Sequence, residues 1–197
     1  MNHGVVLGID CATPYLALAL VAPDGRVLGR TASEVGREHA ARIVGAIDRL
    51  LTDAGRTGRD VVAVAVGVGP GSYTGVRVAI ATAKGMARAL DVPLHGASTL
   101  AAVAASRLLP GERGVAVLDA RRGNVYAALV QRAPAHVERA PRVRMLDGPH
   151  KIAAVDLPTR FPAERVLEEA PPDAAALAMT AVDGAGERPE PPEAVYL

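Results

Sequence analysis

Four glycines fall within nine residues in the run Gly67-Val-Gly-Pro-Gly-Ser-Tyr-Thr-Gly75, between a β-branched apolar segment and an alanine-rich helical one. Backbone amides at such a strand-to-helix turn can hold an anion, helped by the partial positive charge of the helix N-terminus. Gly69, Gly71, Ser72, Thr74 and Gly75 are the residues that would do it. The run is not Gly-x4-Gly-Lys-Ser/Thr, because the nearest lysine, Lys84, lies inside the helix. Nor is it Gly-x-Gly-x-x-Gly, because Gly67 and Gly69 are followed by Ser72, and Gly69 and Gly71 by Thr74. The alternative is structural: glycines that supply positive φ, and Ser72 or Thr74 capping the helix.

Two acidic residues end apolar runs at similar turns, Asp10 before Cys11-Ala12-Thr13 and Asp119 before Ala120-Arg121-Arg122-Gly123-Asn124. With Thr13, they could meet a phosphate or its magnesium ion. Ala12 adds a methyl group where a backbone would have to approach phosphate, and the second turn crowds in two arginines, so capping of the turns by the Asp side chains is the alternative. Cys11, the single cysteine, reads as a buried thiol, since no base accompanies it. His39 has no second histidine at i+4, no His-Glu-x-x-His occurs, and no metal site is expected; it reads as a surface or interface histidine. Gly-x-Ser-x-Gly is missing too, and no catalytic centre emerges.

These residues must be positioned by a two-part α/β chain. Residues 4–21 read as two strands about a turn, and 26–31 as a third. A helix is expected over 37–54 from the spacing of Ile43, Ile47, Leu50 and Leu51. Residues 61–66 form a β-branched run without alternation, as in a central strand covered on both faces. Helices are expected at 76–90, rich in small residues, and at 99–109, with a short strand near 94–96 between them. From Gly114 to Val130 the pattern of residues 4–21 recurs, with the two Asp residues aligned, which points to internal duplication. The first lobe then spans 1–109 and a smaller second lobe 110–197. Later expectations are short strands at 143–146 and 153–155, a helix over 163–169, and a Pro-rich, loosely ordered stretch at 171–193 with one helix near 174–181. An apolar ending, Ala194-Val195-Tyr196-Leu197, is expected to dock onto the body.

Length and composition suit a globular protein: 197 residues, half of them apolar, 22% charged. A formal net charge of +1 creates no bulk attraction to nucleic acid or to anionic membranes. One Phe, four Tyr and no Trp leave little to stack on bases, and the arginines are scattered along the chain. Arg77, Lys84 and Arg88 do share one face of the second helix, which reads as a solvated or partner-facing stripe, with a weak phosphate contact as the alternative. No leader pattern and no run of about 18 apolar residues is present, so a cytoplasmic protein without a membrane span is expected.

Three segments together resemble the TsaB (YeaZ) family: Gly8-Ile-Asp-Cys-Ala-Thr13, Gly69-Pro-Gly-Ser-Tyr-Thr-Gly-Val-Arg77 and Leu118-Asp-Ala-Arg-Arg-Gly-Asn-Val-Tyr126. Arg37-Glu38-His39 and Ser98-Thr99-Leu100 also fit. The resemblance covers about the first 130 residues, then only the ending Val195-Tyr196-Leu197, with a second lobe shorter than usual. It implies an α/β fold of the actin-like, Hsp70, sugar-kinase (ASKHA) type, with two lobes, each a mixed sheet flanked by helices. In that fold the turns at Asp10 and Asp119 correspond to those that hold magnesium and phosphates. The family role it implies is a non-catalytic subunit supporting a TsaD-type catalytic subunit, which transfers threonylcarbamoyl to N6 of adenosine 37 in tRNAs reading ANN codons. A TsaE-type ATPase joins them, the chain alone is a homodimer, and tRNA is met only indirectly. Contact would run through first-lobe helices: Glu38, His39, Arg42, Ala46, Arg77, Ala81, Lys84, Gly85 and Arg88. The chain would carry no cofactor of its own, with ATP or ADP and magnesium at the complex interface. A free-standing ATPase or phosphotransferase of the same fold, and a regulatory binding module, are the alternatives.

Overall fold

The computed structural model describes residues 4–134, 139–167, 169–185 and 192–195, and its first sheet sorts side chains by size. Strand β1 (Val5–Asp10) pairs antiparallel with β2 (Tyr15–Val21), and β2 with β3 (Val27–Glu34). On β2 the leucines Leu16, Leu18 and Leu20 pack on one face, and Ala17, Ala19 and Val21 on the other. Parallel to β1 runs β4 (Val61–Gly67), with Val64 and Val66 on the first face and Ala63 and Ala65 on the second. The run that lacked alternation in polarity therefore alternates in volume. Strand β5 (Leu94–Ala97) completes the order β3-β2-β1-β4-β5.

The large-residue face is covered by α1 (His39–Asp53), through Ile43, Ile47, Leu50 and Leu51, and by α2 (Tyr73–Leu90), through Val76, Ala79, Ile80 and Ala83. The small residues of α2 divide between two duties. Ala79, Ala83 and Ala87 are buried and let the helix sit close to the sheet, whereas Ala81, Gly85 and Ala89 are exposed on the outer side. Helix α3 (Thr99–Ala105) leads out of the first sheet and packs Leu100, Val103 and Ala104 on the second.

That second sheet is an antiparallel meander of β6 (Arg113–Asp119), β7 (Asn124–Arg132) and β8 (Val143–Ala153). A mixed sheet was expected here; among the described residues its one parallel partner is the isolated bridge Val115–Val166. The two short strands expected at 143–146 and 153–155 are one strand of 11 residues, followed by a single turn and the short α4 (Leu157–Arg160). The helix expected over 163–169 does not form. Its backbone runs beside β6 instead, where the Val115 amide donates to the Arg165 carbonyl (2.8 Å) and the Leu167 amide to the Val115 carbonyl (2.9 Å). Edge hydrogen bonds and burial of Phe161 and Leu167 outweigh the local helical preference there.

Helix α5 (Ala174–Asp183), counted with the second lobe on sequence, covers the small-residue face of the first sheet. Its approach is close enough that a Cβ on Gly8 would stand 2.2 Å from the Ala174 carbonyl oxygen, so glycine is required where the helix start crosses the strand. Pro192 to Val195 return to the first lobe, with the Val195 amide donating to the Val68 carbonyl (2.8 Å). Tyr196, Leu197 and 186–191 of the Pro-rich stretch lie outside the described residues.

Candidate functional site

The two acidic turns are built alike. Asp10 Oδ1 accepts from the Ala12 amide (2.8 Å), and Asp119 Oδ1 from the Arg121 amide (2.7 Å), each carboxylate capping the backbone two residues on. Their surroundings differ. Asp10 has no exposure, and its Oδ2 accepts from the Thr99 hydroxyl (2.7 Å), tying the end of β1 to the start of α3. Burial pushes its pKa up to about 6 against the pull of the hydrogen bonds from Thr99 and Ala12. The adjacent Cys11 thiol is also enclosed; burial, then the charge of Asp10, drives its pKa far above the range in which a thiolate forms. Asp119, by contrast, is exposed.

Asp119 stands on a cleft of about 760 Å³ between the lobes, and the structure brings Thr13, Gly71, Ser72 and Thr74 to the same cleft. Asp10, Gly69 and Gly75 do not line it. Asp10 and Gly75 are buried behind the first turn, and Gly69, at φ 94°, turns its carbonyl to accept from the Thr99 amide (2.9 Å). Several amides of the loop are already engaged within the chain. Ser72 donates to the Ala12 carbonyl (2.7 Å), Gly75 to the Ser72 hydroxyl (3.3 Å) and Val76 to the Ser72 carbonyl (2.9 Å). Ser72 is thus the N-cap of α2. The cleft also gathers Arg37, Arg121, Tyr126 and Glu169, none of which was nominated as a site residue. Arg121 was visible as crowding at the second turn; Glu169 gave no signal, because only tertiary folding carries it there. With two arginines against two acids and several hydroxyls, the cleft offers hydrogen bonds to a polar ligand without a strong net field.

Among the nominated contact residues, Arg77, Ala81, Lys84, Gly85 and Arg88 form one exposed face of α2. Arg77 is folded back on Tyr73, donating to its hydroxyl (2.6 Å) and lying 5.2 Å above its ring. At the start of α1, the N-cap Glu38 and Arg42 are exposed and joined through Arg42 Nε (2.6 Å), and Ala46 is half-buried. Val44 (67% exposed) and Tyr73 (57%) are large side chains left outside on these two helices. His39 is a correction: it is buried, and its Nε2–H donates to the Tyr15 carbonyl (3.1 Å), so it anchors the start of α1 on β2 instead of facing outward. Among the described residues no group of three His, Cys, Asp or Glu side chains is placed to hold a metal, and no helix is long and apolar enough to cross a membrane.

Two lobes that each open with a meander and an Asp-capped turn, facing one another across a cleft, define an ASKHA-type α/β protein. A family model described as TsaD, tRNA N6-adenosine threonylcarbamoyltransferase, matches residues 27–182. The tRNA threonylcarbamoyladenosine biosynthesis protein TsaB of Escherichia coli K12 is 41% identical over 129 residues, 64% of this chain. The chain spans about half, 55%, of that relative's length. An uncharacterized protein of Mycobacterium tuberculosis is 34% identical over 203 residues, covering 98% of this chain and 90% of its own length. Among solved structures, YeaZ from Pseudomonas aeruginosa superimposes with a TM-score of 0.78 at 27% identity, covering 98% of this chain and all of that one (100%). The chain belongs to the TsaB/YeaZ family.

Proposed function

We propose that this chain is a non-catalytic subunit of the machinery that installs threonylcarbamoyl on N6 of adenosine 37 in tRNAs reading ANN codons, and that it works by binding and supporting a TsaD-type catalytic subunit. The observation that carries this reading, beyond family membership, is the outer face of α1 and α2. Ala81, Gly85 and Ala89 face outward there, and Val44 is exposed beside the buried core stripe. Helices presenting alanine and glycine admit another backbone at close range, and an exposed valine gains from being covered. A stable association would bury about 1,200–2,000 Å² in total. The same face would serve a homodimer of the chain alone. A TsaE-type ATPase, and ATP or ADP with magnesium at the joint, belong to this reading as further members of the assembly.

The first-lobe carboxylate speaks against a free-standing phosphotransferase. Asp10 is enclosed and both its oxygens are engaged, and Ala12 is pressed against the glycine loop: a Cβ on Gly71 would stand 2.3 Å from the Ala12 carbonyl oxygen. Such a turn leaves little room for a phosphate or a metal ion. In this reading Thr13, Ser72, Thr74 and Asp119 give the cleft a polar lining without chemistry of its own.

The test is size-exclusion chromatography with light scattering, mixing the chain with the TsaD-type protein of its own organism. Ala81→Arg sets an uncompensated charge in the contact and is expected to weaken the heterodimer by at least about tenfold. The exposed position leaves the monomer's melting temperature unchanged. A heterodimer indifferent to Ala81→Arg would remove the interface from α2. Steady ATP turnover by the isolated chain would replace the scaffold reading with the free-standing enzyme.

A further inference from the structure

A second groove of about 850 Å³, sharing no lining residue with the first cleft, runs between β3, the end of α3, β7 and the segment leading into α5. Arg30, Arg107, Arg132 and Arg139, which are up to 109 positions apart in the chain, all line it. Among the described residues of the lining Asp173 is the one acid, and it is already committed. It caps α5 by accepting from the Ala175 amide (3.0 Å) and takes a single 3.3 Å contact from Arg30, whose side chain remains 66% exposed. The other guanidinium contacts described are to backbone carbonyls, which hold position without cancelling charge. Arg107 donates to Glu169 O (2.7 Å), and Arg132 to Leu108 O (2.7 Å) and Ala105 O (3.3 Å). Four cations against one carboxylate in a concavity concentrate a positive field that the net charge of +1 conceals.

We propose that this groove binds the phosphodiester backbone of tRNA, an assignment that rests on the tRNA-modification reading above and gives the chain a direct contact with the substrate. Guanidinium groups bind phosphate oxygens in bidentate fashion, and spacing them over four elements suits successive phosphates better than one. Among the described residues no aromatic side chain lines the groove, so they offer a nucleobase nothing to stack on. Recognition would therefore follow the backbone and be independent of base sequence, leaving selection of the adenosine to another subunit.

The experiment is fluorescence anisotropy of end-labelled tRNA with the full chain across a salt series. It compares the wild type with Arg30→Gln/Arg107→Gln and with Arg59→Gln/Arg144→Gln, two exposed arginines outside the groove. The groove variant is expected to bind about tenfold more weakly, and its log K against log salt slope should be shallower by about two. The control variant should match the wild type. Equal weakening in both variants would reduce the effect to general charge and overturn the proposal. So would displacement of tRNA by inorganic tripolyphosphate from a site that the groove variant leaves intact, or binding of tripolyphosphate by the groove with no binding of tRNA. The groove variant should still form the heterodimer with the TsaD-type protein. Retained heterodimer with unchanged tRNA affinity sinks the groove alone, whereas loss of the heterodimer in the wild type sinks the scaffold reading.

Discussion

Gly75→Ala is expected to lower the stability of this protein by about 3 kcal/mol, while Gly85→Ala, ten residues on in the same helix, should raise it by about 0.5–1 kcal/mol. Intrinsic helix propensity favours alanine at both positions. At Gly75 a Cβ would lie 1.9 Å from the Cys11 carbonyl oxygen, and the contact is backbone, so no side-chain rotation can relieve it. The first turn of α2 would have to withdraw from the Asp10–Thr13 turn, taking with it the Ser72-to-Ala12 hydrogen bond of 2.7 Å. At Gly85 nothing stands within 4 Å of the added methyl. For a chain of this length the two changes amount to a fall of about 6–12 °C and a rise of about 1–4 °C in melting temperature by calorimetry. Matching effects at the two glycines would mean that the close approach of turn and helix does not hold in solution.

The second large effect concerns Asp10. Its folded-state pKa of about 6 lies above the 3.8 of the unfolded chain, so between those values the folded protein holds a proton that the unfolded chain has released. Stability from this group is therefore greatest below pH 3.8, falls as pH rises through the window to about 6, and stays reduced above it. The loss amounts to about 3 kcal/mol. Asp10→Asn keeps both partners: its carbonyl oxygen accepts from Ala12, and its amide donates to the Thr99 oxygen, whose hydroxyl can accept as well as donate. The variant is expected to be more stable than the wild type at pH 7.5 by up to about 3 kcal/mol, and equal to it at pH 3.5. Urea melts of both proteins across that range isolate the effect, because all other titrations cancel in the difference. A variant less stable at pH 7.5 would show that the ionised carboxylate is needed where it lies, as a cation-binding acid would be.

Much of the first lobe was legible because its signals are local. Ile43, Ile47, Leu50 and Leu51 announce α1 by spacing alone, and the Asp-capped turns at Asp10 and Asp119 repeat because each is closed by a hydrogen bond two residues long. The Leu–Ala alternation of β2 was also present in the sequence. Its meaning was not, since it depends on what covers each face: large helix side chains on one side, the backbone of α5 on the other.

By itself, then, the sequence carried the family resemblance, the helices α1 and α2 and the Gly67–Gly75 turn, and those helices and that turn rest on contacts within a few residues. Only the tertiary structure decided the rest. It buried His39 against Tyr15, enclosed Asp10 while exposing Asp119, laid residues 165–167 along β6, and set α5 on the first sheet. It also drew Arg30, Arg107, Arg132 and Arg139 into one groove. Each of these outcomes joins residues far apart in the chain, where spacing carries no information and burial and charge are fixed by whichever element arrives from elsewhere.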